Sequence, residues 1–473
     1  MKCLSIVIAL IVLMPSMPAL AQDEAARPWE TWQPPAVEMP DPNAWEIYLR
    51  AFAIEEQIHQ RLREEAGLPP QDGEADAPPE VPAGVDWNVR TQLDMSERSL
   101  EPETLARLLE AYAPVFSALE AAIAGDAVAP PITSREDLDA AFPEFAKMRQ
   151  FTRMFASRSV YHLTQDDPLS AALDGIACMH IGADVGTHNS LIGGLVEIAC
   201  VAIGEARLRL AIPQLGAEEA RIATNALRAA MAGLPGLAQV LQGEETCTRL
   251  LMRAQLPDFA QMDEAVQALR ENPEYARQVL AQEDPTFANL EGEALAAKVE
   301  EKIAEMKALT PEKTWPELGR FYAAQQAEAA KPYWAREPVA PPENILLKML
   351  LSPFDLAALK YAITDARLSV DLAAIAAQAY CGENGAYPTD LAALVPDYLP
   401  EVPRDPFVDA PLSVQFREPV SRAHPAAQRE PEGAKVLVIY SVGPDGDDDG
   451  GADIGQVVQA DSDGDIALTL SAE

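Results

Sequence analysis

Tyr380–Phe407 reads YCGENGAYPTDLAALVPDYLPEVPRDPF, and it is followed by SVGPDGDDDGG at 441–451 and DSDGDI at 461–466. Leu368, Leu372, Ile375 and Ala379 lead into it at i, i+4, i+7 and i+11, which predicts a helix with one apolar stripe. Gly382 and Gly385 mark where the chain leaves that helix. Pro388-Thr389-Asp390 starts a short helix that runs through Val395, and Pro396 stops it. Pro400, Pro403 and Pro406 exclude both regular helix and central strand, so the next connector is extended and irregular. Leu412, Val414 and Phe416 alternate with polar residues, as do Ile466, Leu468 and Leu470 with Ala467 and Thr469, while Val436 to Tyr440 is continuously apolar. The expectation is a long helix against a small three-stranded antiparallel sheet, with 436–440 as its middle strand.

No Lys or Arg follows Ser441, yet Asp445, Asp447, Asp448, Asp449, Asp453, Asp461, Asp463, Asp465 and Glu473 all do. Asp445-x-Asp447-x-Asp449-Gly450 has the order of a calcium loop, in which alternate oxygens face the ion and Gly allows the sharp turn. The twelfth position is Gln456 instead of a bidentate Glu, and a strand precedes the loop, so an EF-hand proper is rejected. Alternation alone points to Asp447, Asp449 and Asp463 as ligands. Carboxylates crowded beside two strands repel one another, and a hard cation relieves that repulsion.

The string from Asn384 through Tyr387-Pro388, the LAALVPDYLPEVPRDPF run and the Tyr440-Ser441-x-Gly443-x-Asp445-Gly446 loop closing on Asp465-Ile466 resemble the major pseudopilin (pseudopilin G) of type II secretion systems. The resemblance covers about the last quarter of the chain, taken as a domain over 344–473. It implies calcium in the C-terminal loop, with Asp445 and Asp465 as ligands by position; Asp453-Ile454 competes with Asp465-Ile466 for the closing pair. The whole chain resembles a family of exported bacterial proteins that join a signal peptide, a helical region and this module.

Residues 1–21 read as a secretory signal peptide: Lys2, an apolar segment over Leu4 to Met14, and Ala19-Leu20-Ala21 for cleavage. That segment is about half the roughly 20 residues a bilayer crossing needs. Export to the periplasm or beyond is therefore expected, without stable membrane insertion. A formal net charge of −38 repels phosphate backbones and anionic lipids, so no nucleic-acid partner is expected. Without the signal peptide, Cys178, Cys200, Cys247 and Cys381 remain; they permit three disulfide pairings or buried free thiols, and the spacing selects none.

Residues 22–42, rich in Pro, Trp and acids, read as a flexible leader. An all-α region over 43–340 follows, with an acidic Pro-rich linker at 67–84. Helices are expected at 43–66, 99–124, 135–157, 167–183, 190–212, 216–233, 237–253, 262–281, 290–309 and 316–331, with Ser134 and Asp137 forming a capping-box variant. This exceeds what one hydrophobic core usually organises, so an array of paired helices is expected. Leu169–Ala230 resembles tetratricopeptide-type helix pairs but has no fixed period.

Catalytic signatures are thin in these helices. Cys178, His180 and His188 lack metal-site spacing and read as polar groups between packed helices. His188 and Ser190 have no G-x-S-x-G elbow around them. No phosphate-binding loop is found. The expected function is an exported, non-enzymatic binding or scaffolding protein with a protein partner. The alternatives are an accessory component of a type II secretion or pilus-like assembly and an exported hydrolase, which no motif supports.

Overall fold

The computed structural model describes residues 28–65, 102–187, 190–255, 262–281, 285–307, 311–344, 347–348, 351, 354–417, 435–455, 458–459 and 462–472. The segment read as a signal peptide, the linker expected at 67–84, His188, Gln456 and Asp461 fall outside them. The chain is mostly helical, with a small antiparallel sheet near its C-terminus. None of the described helices is long and apolar enough to cross a membrane.

In chain order the first helices are α1 (Pro28–Thr31), α2 (Trp45–Glu65), α3 (Pro102–Ala111), α4 (Ala113–Ile123) and α5 (Arg135–Thr164). Next come α6 (Pro168–Gly186), α7 (Leu191–Ala211), α8 (Ala217–Gly233) and α9 (Leu237–Gln255). The series continues with α10 (Met262–Glu271), α11 (Pro273–Leu280), α12 (Gly292–Lys307), α13 (Pro311–Ala329) and the 31-residue α14 (Phe354–Asn384). Local chemistry sets many of these ends. Ser134 and Asp137 exchange capping hydrogen bonds, as their spacing predicts, and Asp167 and Ser190 cap α6 and α7. Two helices expected as single pieces are each split. Asn272 caps a fresh start at Pro273, and Pro114 in the first turn of α4 separates it from α3.

Residues 28–42 carry little regular structure, yet they are anchored. Trp29 is buried, Trp32 meets Trp315 edge-on with ring centroids 5.7 Å apart, and the Trp32 carbonyl accepts Arg253 Nη1 at 3.1 Å. Composition gives no sign of this, because it does not say which aromatic side chains find a partner.

Helices α6 and α7 form an antiparallel hairpin. Gly175 faces Gly204 and Leu208, while Gly182 faces Glu197 and Cys200. A Cβ built on Gly204 would lie 2.2 Å from the Gly175 carbonyl oxygen. The two backbones therefore approach as closely as hydrogen allows, and only glycine fits there.

Helix α14 is the spine. Every residue from Val370 to Ala377 is buried, so the expected stripe widens to burial all round. Its alanines explain the change, since they let helices approach from several sides. The N-terminal part of α14 (Phe354, Ala357, Tyr361) packs with Leu241, Trp315 and Tyr322 of α9 and α13. Its C-terminal part shares one apolar cluster with Ile176, Val201 and Leu227 of α6, α7 and α8 and with Leu437, Ile439, Leu468 and Leu470 of the sheet. Helices α2 and α4 to α6 build a second cluster around Tyr48, Phe116, Met148 and Phe155, and α10 to α12 build a satellite around Phe287.

The sheet comprises β1 (Ser413–Arg417), β2 (Lys435–Ser441) and β3 (Ile466–Ala472), in the order β1-β2-β3 and antiparallel throughout, with β2 in the middle as expected. Registers Val414↔Ile439 and Ile439↔Leu468 put Val414, Leu437, Ile439, Leu468 and Leu470 on the face that meets α14.

One ion pair lies inside this packing. Asp371 of α14 is 0% exposed and accepts Arg209 Nε of α7 at 2.7 Å. Arg209 also meets Glu205 at 3.0 Å and reaches the Ala467 carbonyl of β3 at 3.5 Å. Burial raises the Asp371 carboxyl above its usual range, and the Arg209 guanidinium beside it is the main opposing influence.

Two stability predictions follow from this packing. Gly204→Ala should lose about 1–3 kcal/mol in urea unfolding, because the backbone contact outweighs the gain in helix propensity. Arg209→Met should cost about 3–5 kcal/mol by leaving a buried carboxylate, and adding Asp371→Leu should recover most of that loss.

Candidate metal centre

The acidic loop runs from the end of β2 to the start of β3. Its first turn is fixed by Asp405, a buried residue of the Pro-rich connector. Asp405 Oδ1 accepts Ser441 Oγ at 2.8 Å and Phe407 N–H at 2.9 Å, and Oδ2 accepts Val442 N–H at 2.9 Å. Burial, against these three donors, still raises its pKa. Gly443 follows at φ +78°, where a Cβ would lie 2.6 Å from the Gly464 carbonyl oxygen.

The loop then crosses the sheet face opposite α14. Tyr440 donates its hydroxyl to Asp448 Oδ1 at 2.9 Å, and Gly450 N–H donates to the same oxygen at 2.9 Å. The Gly450 carbonyl accepts Gln415 Nε2 and Arg417 Nη1 from β1. Gly451, at φ +76°, sits so close over Val438 that a Cβ would lie 2.6 Å from its Cγ1. Val438 and Tyr440 of that face are buried.

This seating leaves Asp445, Asp447 and Asp449 exposed on one side of the loop, each offering an oxygen within 4.8 Å of the others. The Asp449 carboxyl is raised above its usual range by desolvation and then by the charges of Asp463, Asp447 and Asp445. Asp463 thus lies in the field of the group without joining the close set.

Asp465 plays a different part. It is 0% exposed; Oδ2 accepts Gly451 N–H at 2.6 Å, while Oδ1 is buried without a partner of hydrogen-bonding geometry. Burial pushes its pKa up to about 6, opposed by the amides of Gly451 and Asp449 and helped by the Asp448 and Asp449 charges. Its backbone bridges to Asp453: Ile454 N–H donates to the Asp465 carbonyl at 2.8 Å, and Asp465 N–H donates to Ala452 at 2.7 Å. The two competing Asp-Ile pairs are therefore neighbours in space.

Of the five expected ligands, Asp445, Asp447 and Asp449 come together, Asp463 lies beside them, and Asp465 holds the loop down from below. A donor set made only of carboxylate oxygens fits a hard divalent cation such as calcium or magnesium. Sequence reading missed Asp405 and Asp448. Asp405 was legible in principle, since Asp-x-Phe in an irregular connector suits an Asx turn.

The other candidates are occupied by structure. Cys178 is buried, with Sγ 3.3 Å from the carbonyl oxygens of Thr152 and Asp174. Ser190 is buried with its Oγ accepting Gly193 N–H, so its hydroxyl serves the cap of α7. Among the described residues, Cys178, Cys200, Cys247 and Cys381 are free thiols.

Comparison of the chain with family models, with curated proteins and with solved structures finds no match.

Replacing Gly451 by Ala should unseat the loop, since both its positive φ and its contact with Val438 exclude a side chain. Thermal unfolding should register a loss of about 1–3 kcal/mol.

Proposed function

We propose that this protein is an exported, non-enzymatic binding or scaffolding protein whose pseudopilin-like C-terminal module is stabilised by calcium in the acidic loop. The observation that carries the reading is the convergence of Asp445, Asp447 and Asp449 on a loop that is otherwise fastened to the sheet. Three carboxylates this close repel in the absence of a cation, yet their loop is held by four neighbouring side chains, Asp405, Gln415, Tyr440 and Asp465. Calcium would draw its remaining oxygens from water or from backbone carbonyls, as such sites commonly do. The ion's part is structural: it removes repulsion and keeps the loop over the outer sheet face. The helical region supplies the surface for a protein partner, and the spent Ser190 hydroxyl argues against a hydrolase built on it.

Calcium sites in extracellular modules bind at about 10⁻⁴ to 10⁻³ M. A tenfold excess over Kd should therefore add about 1.4 kcal/mol of stability. Melting with calcium against EDTA should give the higher midpoint with calcium, and Asp445→Asn with Asp449→Asn should abolish the difference. An unchanged midpoint, or a shift that survives the double substitution, would reject the site.

A further inference from the structure

The tip of the α6–α7 hairpin gathers buried carboxyl groups that the metal site does not use. Glu197 of α7 is 3% exposed and accepts the Tyr361 hydroxyl of α14 at 3.0 Å. Its Oε2 lies against α6, where a Cβ built on Gly186 would come within 2.6 Å. Asp184 of α6, partly buried, accepts the Tyr48 hydroxyl of α2 at 2.6 Å. Glu244 of α9 accepts Leu191 N–H, the first amide of α7, at 2.8 Å.

The surrounding charges give these acids little cationic help. Glu197 faces Tyr361 and Asp365 of α14 and Cys200 on its own helix; Arg336 acts on Asp365, and Arg149 and Arg153 of α5 act on Cys200. Asp184 faces Tyr48, which also senses Cys200. Glu244 faces Leu191 N–H, Cys247 and Tyr322. A buried carboxyl whose partner is a tyrosine hydroxyl is far less costly neutral than ionised.

We propose that the α6–α7 tip is a proton-dependent clasp: Asp184 and Glu197 tie it to α2 through Tyr48 and to α14 through Tyr361 while they are neutral and enclosed. Ionisation, whose desolvation cost outweighs the stronger tyrosine bonds, draws them toward water and loosens the tip from both helices. Burial pushes Asp184 from 3.8 up to about 7 and Glu197 from 4.5 up to about 9. Both values are raised in the folded chain, so each group's contribution is complete below its unfolded pKa and is lost as pH rises through its folded pKa. Asp184 therefore works between about pH 4 and 7, and Glu197 continues to about pH 9. Within its window each group costs about tenfold in the folding equilibrium per pH unit. The cluster around Tyr48 includes Ile181 and Val185 of α6, and the cluster around Tyr361 includes Leu191 of α7, so the tip touches two cores.

Hydrogen exchange at the Thr187 and Leu191 amides, corrected for intrinsic rates, tests this between pH 5 and 9 alongside urea midpoints. The wild-type tip should lose protection as pH rises. Glu197→Gln should remove the loss above pH 7 and about half of the slope below it, and Asp184→Asn should remove the other half of the slope below pH 7. Tyr361→Phe deletes the hydroxyl that lowers the Glu197 pKa, so it should move the upper transition to higher pH, which a purely structural contact would not do. Tip protection that does not change with pH in the wild type overturns the clasp, as does an identical pH profile in Glu197→Gln. If Asp184→Asn does not fold, the wild-type and Glu197→Gln profiles decide the matter alone.

Discussion

The Arg209–Asp371 ion pair sets the terms for the rest of the architecture. Asp371 is the second of eight consecutive buried residues, where an isolated carboxylate would cost several kcal/mol. Its partner comes from α7 and also reaches the backbone of β3, so three elements distant in sequence meet at one charge. Neither Asp371 Oδ2 nor Arg209 Nη2 has a further partner, so the pair contributes more to orientation than to net stability. An apolar substitute would pack as well but would let α14 slide against α7. Arg367, one turn earlier, extends the same tie to Glu205 and to the Gly455 carbonyl of the acidic loop.

Small residues make that arrangement possible. The alanines of α14 and the facing glycines of α6 and α7 allow helices to approach on several sides at once. Close approach in turn explains the burial of Glu197 and Asp371. Asp184, Glu197 and Asp371 all take raised pKa values from burial first. A chain with so large an excess of negative charge thus favours the neutral form of Asp184 and Glu197 by enclosing them, while Asp371 is held as the partner of Arg209 and Asp445, Asp447 and Asp449 stay outside.

Much of this could be read in the residues beforehand. Period 3.6 marked the helices, alternation marked the strands, and Ser134 with Asp137 marked a helix start to the residue. The middle position of β2 followed from its unbroken apolar run. What pattern could not give was partnership. Nothing near Asp371 in the sequence indicates that Arg209, more than a hundred residues earlier, will meet it. Trp29 and Trp32 sit in a segment whose composition resembles a leader, and only α9 and α13 make them a buried strap. In the acidic loop, the D-x-D-x-D-G order pointed to Asp445, Asp447 and Asp449, whose oxygens do lie within 4.8 Å of one another. It said nothing of Asp465 turning inward, which depends on the Gly451 amide beneath it.

The shared cluster that includes Ala171 at one extreme and Leu470 at the other has a bearing on how the chain acquires its fold. Those residues are roughly 300 positions apart, a separation that makes closure slow and sensitive to chain entropy. The α6–α7 hairpin can form early from neighbouring residues, but the side of the cluster that β3 closes against α14 waits for that strand. A ribosome, or any channel that passes the polypeptide N-terminus first, therefore presents the hairpin well before the strand that completes its cluster. Assembly of the shared cluster is in this sense a late event, completed only when β3 has emerged.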